Sequence, residues 1–462
     1  MRPSAYAGAM SRTDAPKRAA GFRAIGSWAL WDWGSASFNA VIVTFVFAPY
    51  LTSGVAATEE AGSQALGWST AAAGLVIALV APAAGTRADA SGRHRFWLGF
   101  HTAVVVACMA AMFFVKDTPS HLWLGLALLA VGNVFFEFAE VSYNSILLSI
   151  STPQTVGRIS GLGWGMGYLG GLALLVLLLV TVISPEVGLF GAVDEDGLRY
   201  RIVAVLAAAW FLVFALPVLF FAPRSPVATG AADDRQAAAS QRTGLMGRVS
   251  LFIADYRRLI ARIVRMRRED RLTLRFLISS AVFRDGLAAI FAFAGVLAAG
   301  SYGLSASEVV LLGVVANVSA GIGAITAGWL DDRFGSPAVI ITGLICLIAA
   351  SVPIAVSDEP AVFWGCAVFM CLFVGPVQSS SRAFLARITP PEEAGENFGL
   401  YATTGRAVSF IGPVMFAAFI ALMGYQRAGA LGIAVVLAAG LVLFWMMHRA
   451  HSRAVGADRS TS

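Results

Sequence analysis

Apolar residues run in long blocks at about 28–52, 66–84, 96–115, 121–149, 160–183, 201–222, 272–298, 305–330, 337–356, 361–388, 397–424 and 429–448. Crossing a bilayer as a helix takes about 20 residues, so the pattern predicts twelve spans. Short connections separate all but one pair. The exception, 223–271, divides the chain six plus six. The expected organisation is a tail at 1–27, a six-helix bundle at 28–222, a basic linker at 223–271, a second bundle at 272–448 and a tail at 449–462.

The charge of the connections alternates. Arg87, Arg93 and Arg95, then Arg158, Arg333 and Arg387 fall on one side, together with the basic ends of the chain. Glu59 and Glu60, then Glu186, Asp194, Glu195 and Asp196, then Asp358 and Glu359 fall on the other, with Lys116 and Arg427 as exceptions. Arginine asymmetry between alternating loops places the basic side, and both termini, in the cytoplasm. The N-terminal segment lacks a convincing cleavage site and reads as a retained tail.

Composition agrees with an apolar solvent: 462 residues are 58% hydrophobic and only 13% charged, with a mean hydropathy of +0.75. A soluble domain carries roughly a quarter charged residues. Cys108, Cys346, Cys366 and Cys371 lie singly inside apolar runs without metal-ligand spacing, so no structural metal or cofactor is expected. The net charge of +6 comes almost entirely from arginine, since lysine stands only at Lys17 and Lys116. The placement of the arginines in loops argues against nucleic acid. In the linker, Arg257, Arg258, Arg262, Arg265, Arg267 and Arg268 are interleaved with apolar residues. A helix on an anionic membrane surface and a linker whose charges fix topology both fit.

A short motif repeats across the halves. Gly85, Asp89 and Gly92 form G-x-x-x-D-x-x-G after the second span, followed by Arg93. Gly328, Asp332 and Gly335 repeat it after the eighth. Duplicated halves are a transporter architecture. In such loops glycine allows close approach, and aspartate can cap a helix start or pair with a neighbouring arginine.

Polar residues inside the spans are the candidates for chemistry, because a charge in hydrocarbon is costly and faces the protein interior or an aqueous cavity. In the fourth span Asn133, Glu137, Glu140 and Asn144 fall on one stripe about 60° wide. Two carboxylates on that stripe make proton binding and release available, Glu137 being nearer mid-membrane. A structural clamp to arginines across the bundle is the alternative. Asp32 stands in the first span among Trp28, Trp31 and Trp33, which have the composition of an interfacial belt, with Asn39 deeper on the same face. Arg284 and Asp285 lie near the middle of the seventh span, each needing its own partner, beside a Gly286 that permits local unwinding or close packing. Asn317, Gln378, Arg382 and Arg406 are the polar residues of the eighth, tenth and eleventh spans. Gly163 and Gly167 give the fifth span a small-residue packing face. No hydrolase, kinase or nucleotide-loop motif occurs, so no enzyme is expected.

These motifs resemble the major facilitator superfamily and, within it, bacterial relatives of the fungal vacuole effluxers linked to autophagy. Trp28-Ala29-Leu30-Trp31-Asp32-Trp33-Gly34-Ser35-Ala36-Ser37-Phe38 is similar to that family's W-A-x-Y-D-W-A-N-S-A-F. Phe47-Ala48-Pro49-Tyr50 is similar to F-P-P-Y, and Tyr143-Asn144 stands where the family has Y-N-A. Further matches are Gly157-Arg158-Ile159-Ser160-Gly161, Phe283-Arg284-Asp285-Gly286 (with Arg284 a departure from Y-N-D-G), Phe398-Gly399-Leu400-Tyr401 and Gly412-Pro413. The resemblance implies an all-α major facilitator fold of twelve transmembrane helices in two six-helix pseudo-repeats. It also implies a secondary transporter for a small molecule, amino acids and efflux favoured, working as a monomer among lipids in a bacterial plasma membrane. A non-transporting sensor or lipid-handling protein, and a sugar or drug transporter, are the rival readings.

Overall fold

The computed structural model describes residues 21–193, 195–223, 261 and 264–460. Asp194, the N-terminal tail to residue 20 and, in the linker, residues 224–260, 262 and 263 lie outside the described residues, among them Arg257, Arg258 and Arg262 of the expected surface helix.

Among the described residues, twelve helices are long and apolar enough to cross a membrane. They are α1 (Phe22–Val55), α2 (Glu59–Ser91), α3 (His94–Phe114), α4 (Pro119–Ile150), α5 (Val156–Ile183), α6 (Glu195–Phe221), α7 (Arg271–Tyr302), α8 (Glu308–Phe334), α9 (Ser336–Val356), α10 (Pro360–Ile388), α11 (Pro391–Met423) and α12 (Gln426–Arg453). With an even number of spans, α1 and α12 begin and end on the face that also carries the α6–α7 connection. That face is called the linker face and its opposite the far face.

Local chemistry sets the ends. Thr58 caps α2 by accepting the Ala61 amide, and Gly92 closes it in the left-handed region at φ 59°, where glycine carries no side-chain penalty. Asp270 caps the start of α7, and Ser305 with Glu308 forms a capping box at α8.

Several expectations change here. Trp28 and Trp31 are fully buried and stack on Tyr143 with ring centroids 4.4 Å apart. They are core, not belt, because the α1 face they occupy packs into the bundle. Exposed large aromatics include instead Trp68 and Trp123 towards the far face and Trp329 and Phe334 at the linker face. α1 is interrupted at Val46 and α11 between Val408 and Ile411, while α7 runs unbroken past Gly286. Gly286 is there for packing, since a Cβ would come within 2.7 Å of Leu437. Arg199 and Arg201 also stand on the far face, beside Lys116 and Arg427. Arg199 is buried because it donates to the carbonyls of Val182, Ile183, Pro185 and Glu186 at the end of α5. An arginine consumed by backbone carbonyls carries no topological signal in loop composition.

Candidate functional site

The two halves meet along α2 with α11 and α5 with α8. Both seams are made of glycine. A Cβ on Gly85 would lie 1.9 Å from the Gly395 carbonyl oxygen, and one on Gly399 would lie 2.7 Å from that of Ala81. On the other seam a Cβ on Gly161 would lie 2.3 Å from the Ala324 carbonyl oxygen, and one on Gly328 would lie 2.7 Å from the Arg158 Cα. The small-residue face of α5 is thus Gly157, Gly161 and Gly165. Gly163 and Gly167 point elsewhere: Gly163 leaves room for Asp32 and Arg382, each 2.8 Å from where its Cβ would stand.

The repeated aspartates latch both seams at the linker face. Asp89 accepts the amides of Gly395 (2.7 Å) and Glu396 (2.8 Å) at the start of α11, and His94 Nε2 stands 3.1 Å from it. Asp332 accepts the amides of Gly157 (2.7 Å) and Arg158 (3.1 Å) at the start of α5. Arg387 reaches it at 3.0 Å and also holds Asp331. Each aspartate therefore caps a helix of the opposite half, where the dipole favours a negative charge. Arg158 pairs with Asp332 at 3.6 Å. Gly92 and Gly335 end the motif helices in positive φ.

One layer deeper lies Arg382, buried and supplied by the second half. It donates to Ser160 Oγ at 2.9 Å and to the Ser160 carbonyl at 2.7 Å. It also reaches Asn144 Oδ1 at 3.2 Å and Asp32 Oδ2 at 3.5 Å. Tyr143 donates to the same Asp32 oxygen at 2.9 Å. The rings of Trp28, Trp164 and Tyr143 lie 5.0–5.7 Å from the guanidinium, within cation–π range.

Nearer the far face the halves part. A cavity of about 890 Å³ runs between α1, α2 and α11, lined by Thr44, Thr52, Ser63, Thr70 and Ala78 on one side and Arg406 and Ser409 on the other. Arg406, which lines it, forms an ion pair across the halves with Glu137. Arg284 lies over the Tyr401 ring at 3.7 Å and donates to the Tyr401 carbonyl at 3.1 Å. Asp285 accepts the Gly412 amide, capping the half of α11 beyond its break. The molecule is thus closed at the linker face and open at the far face.

Of the fourth-span stripe, Glu137 and Asn144 are both held by arginines of the second half. Glu140, one turn beyond Glu137, has neither hydrogen bond nor ion pair among the described residues, and the Asn133 side chain likewise has none. Asn317 donates to Gly313 in its own helix. Gln378 is half-buried without a partner among the described residues, and Asn39 is exposed, its carbonyl accepting the hydroxyl of the lining residue Thr44 at 2.8 Å. Sequence reasoning missed Ser160, Tyr401 and Arg387 as partners. Serine and tyrosine cost little in a span, so nothing in the chain flags them. Arg387 was read only as a topological charge.

No group of three or more His, Cys, Asp or Glu suited to a metal occurs among the described residues. Residues 66–456 match the family model "Vacuole effluxer Atg22 like". The chain is 25% identical over 426 residues to YxiO of Bacillus subtilis, called an uncharacterized MFS-type transporter, covering 90% of this chain and 93% of that one. It is 24% identical over 303 residues to autophagy-related protein 22 of Cryptococcus neoformans, covering 61% of this chain and 51% of the relative. The match thus spans only about half of the fungal protein. Among solved structures, the proton:xylose symporter XylE superposes with a TM-score of 0.70 at 13% identity, over 92% of this chain and 95% of that one. The Escherichia coli fucose:proton symporter FucP superposes with a TM-score of 0.66 at 14% identity, over 92% and 98%. At such identities the likeness shows the fold alone.

Proposed function

Because the chain belongs to the Atg22-like vacuole effluxer family of the major facilitator superfamily, and is therefore a multi-pass secondary transporter of a small solute and not an enzyme, we propose that it exports amino acids across a bacterial plasma membrane, driven by protons. The observation that carries this reading is the pairing of Arg406, which lines the cavity, with Glu137 of the opposite half behind it. One cation and one anion, offered side by side by opposite halves, suit a zwitterion, whose carboxylate and ammonium can exchange with them. Serine and threonine hydroxyls on the walls suit a small polar body. Exchanging those partners loosens a bond between the halves, which couples solute to closure.

The linker face is cytoplasmic in this reading, by its arginines, and the protein works as a monomer without nucleic acid. Reconstituted protein should move radiolabelled amino acids between liposomes and medium, with one amino acid outcompeting sugars. Failure of every amino acid while a sugar moves would overturn the substrate class. Absence of any flux would favour the sensor reading. In a cysteine-free background, a cysteine near Asp196 should react with an impermeant maleimide in intact cells and one near Gly244 should not. Labelling of both would remove the six-plus-six reading.

The aspartate latches are the proposed cytoplasmic gate. Loss of a cap costs about 0.5–2 kcal/mol, so Asp89→Ala should shift the balance towards the inward-open state by about two- to thirtyfold. Asp332→Ala should shift it further, since Arg387 and Arg158 also lose their partner. Spin labels across the linker face read this as a new longer distance. Unchanged distances in both variants would reduce the motif to a turn.

A further inference from the structure

Away from the seam, a groove of about 520 Å³ lies on the outer surface of the first half, between α3 and the end of α6 at the linker face. Two arginines line its head. Arg93 is exposed, with its guanidinium over the Phe96 ring at 4.7 Å. Arg95 donates to the carbonyls of Ala222 and Leu219. Neither arginine has a carboxylate partner among the described residues, and no carboxylate lines the groove. The nearest acid in sequence, Asp89, is buried, with its oxygens committed to α11 and His94. Below the head the lining is wholly apolar: Phe96, Gly99, Phe100 and Leu219. Phe96 is 51% and Phe100 46% exposed, and Phe220 and Phe221 beside them are 70% and 50% exposed. In a membrane-embedded chain this surface faces lipid.

Positive charge without a counterion among the described residues, at the depth of headgroups and above an apolar channel at the depth of acyl chains, fits an anionic lipid. We propose that the groove is a specific site for one anionic phospholipid of the leaflet at the linker face. Its phosphate meets Arg93 and Arg95, and an acyl chain lies along Phe96, Gly99 and Phe100. Basic pockets between spans take anionic headgroups in this way. A zwitterionic lipid would bring its own cation towards two arginines, so net headgroup charge sets the selectivity. Gly99 gives the chain its depth: a Cβ there would come within 3.0 Å of Leu219. The site adjoins Gly92, which ends the helix bearing Asp89, so an occupied groove steadies the loop behind the latch.

The test is native mass spectrometry of the full chain in detergent, with equimolar phosphatidylglycerol and phosphatidylcholine of identical chains. The wild type should retain a single phosphatidylglycerol, about tenfold over phosphatidylcholine, as expected for about 1.4 kcal/mol of headgroup discrimination. Arg93→Gln should bring the two lipids close to parity, and Arg93→Glu should invert the preference. Gly99→Leu should lower retention of both lipids. Thermal melting and size-exclusion profiles like those of the wild type establish that the Arg93 variants are folded, so the headgroup arm stands even if Gly99→Leu does not fold. Equal retention of the two lipids by the wild type, or an undiminished preference in Arg93→Gln, overturns the site. So does displacement of the bound lipid by soluble glycerol phosphate alone, or burial of this face in a dimer.

Discussion

Glu140→Gln transporter in proteoliposomes should lose pH-gradient-driven accumulation by at least about tenfold, the ratio carried by 1.4 kcal/mol of coupling, while solute exchange at equal pH continues. Asn133, Glu137, Glu140 and Asn144 share one face of α4, but the partners of the two acids differ. Glu137 is neutralised by Arg406, so a proton arriving there must break an ion pair that joins the halves. Among the described residues Glu140 has no ion pair to break, and it lies between the Glu137–Arg406 and Asn144–Arg382 contacts. A carboxylate so placed can take a proton and alter the field on both arginines without first losing a bond. Glutamine keeps the shape and the helix propensity, so the helix should survive. Glu137→Gln should behave differently: it leaves Arg406 without its anion beside the cavity, and should weaken solute binding and exchange alike. Solute flux and internal pH are followed together. Accumulation at the wild-type rate with Glu140→Gln would falsify this assignment, and loss confined to Glu137→Gln would return it to Glu137.

Arg382→Ala should abolish transport and lower the melting temperature by several degrees. The substitution strands Asp32 in a closed interior, and removing one partner of a buried pair costs about 3–5 kcal/mol. It also frees Ser160 and Asn144, which lose donors at 2.7–3.2 Å. Lysine cannot reach two acceptors with a fixed planar fork, so Arg382→Lys should restore only part of the stability. The discriminating variant is Asp32→Asn combined with Arg382→Ala. With the stranded charge gone, melting should recover by more than half while transport stays absent. That non-additivity is the signature of a direct pair. If the double variant melts as low as Arg382→Ala alone, Asp32 is not what the arginine neutralises.

The spans, their number and their division into halves were legible because a bilayer imposes one strong length and one strong composition on each helix. The duplicated loops were legible too, since both functions expected of their aspartates, capping and pairing, are realised at Asp332. Depth along a span was legible, which is why Glu137 looked the better proton carrier than Glu140. What the chain hides is partnership. Helical periodicity gives the direction of a side chain on its own helix, but not which helix stands opposite. Arg406 is 269 residues from Glu137, and nothing local announces it. The tryptophans of α1 misled for a related reason. Trp28 and Trp31 have the composition of a headgroup belt, yet α1 turns that face onto α4. The alternation of glycines in α5 is ambiguous in the same way, because only the neighbours decide that Gly161 packs against α8 and Gly163 accommodates Arg382.

The bonds that tie the halves join residues 174 to 350 positions apart, and this has a consequence for biogenesis. When α4 enters the bilayer, Asp32 and Glu137 are already at their depths, while Arg382 and Arg406 have yet to be translated. Asp89 likewise waits for Gly395 and Glu396. Throughout that interval the nascent first half holds carboxylates in hydrocarbon with no arginine to meet them, and water or the insertion machinery must screen them. The ribosome delivers the neutralising residues only with the tenth and eleventh spans, so charge balance across the bundle is among the last things synthesis completes. A chain truncated before Arg382 is therefore not half a transporter but an electrostatically unfinished one, which membrane quality-control proteases can distinguish from the complete product.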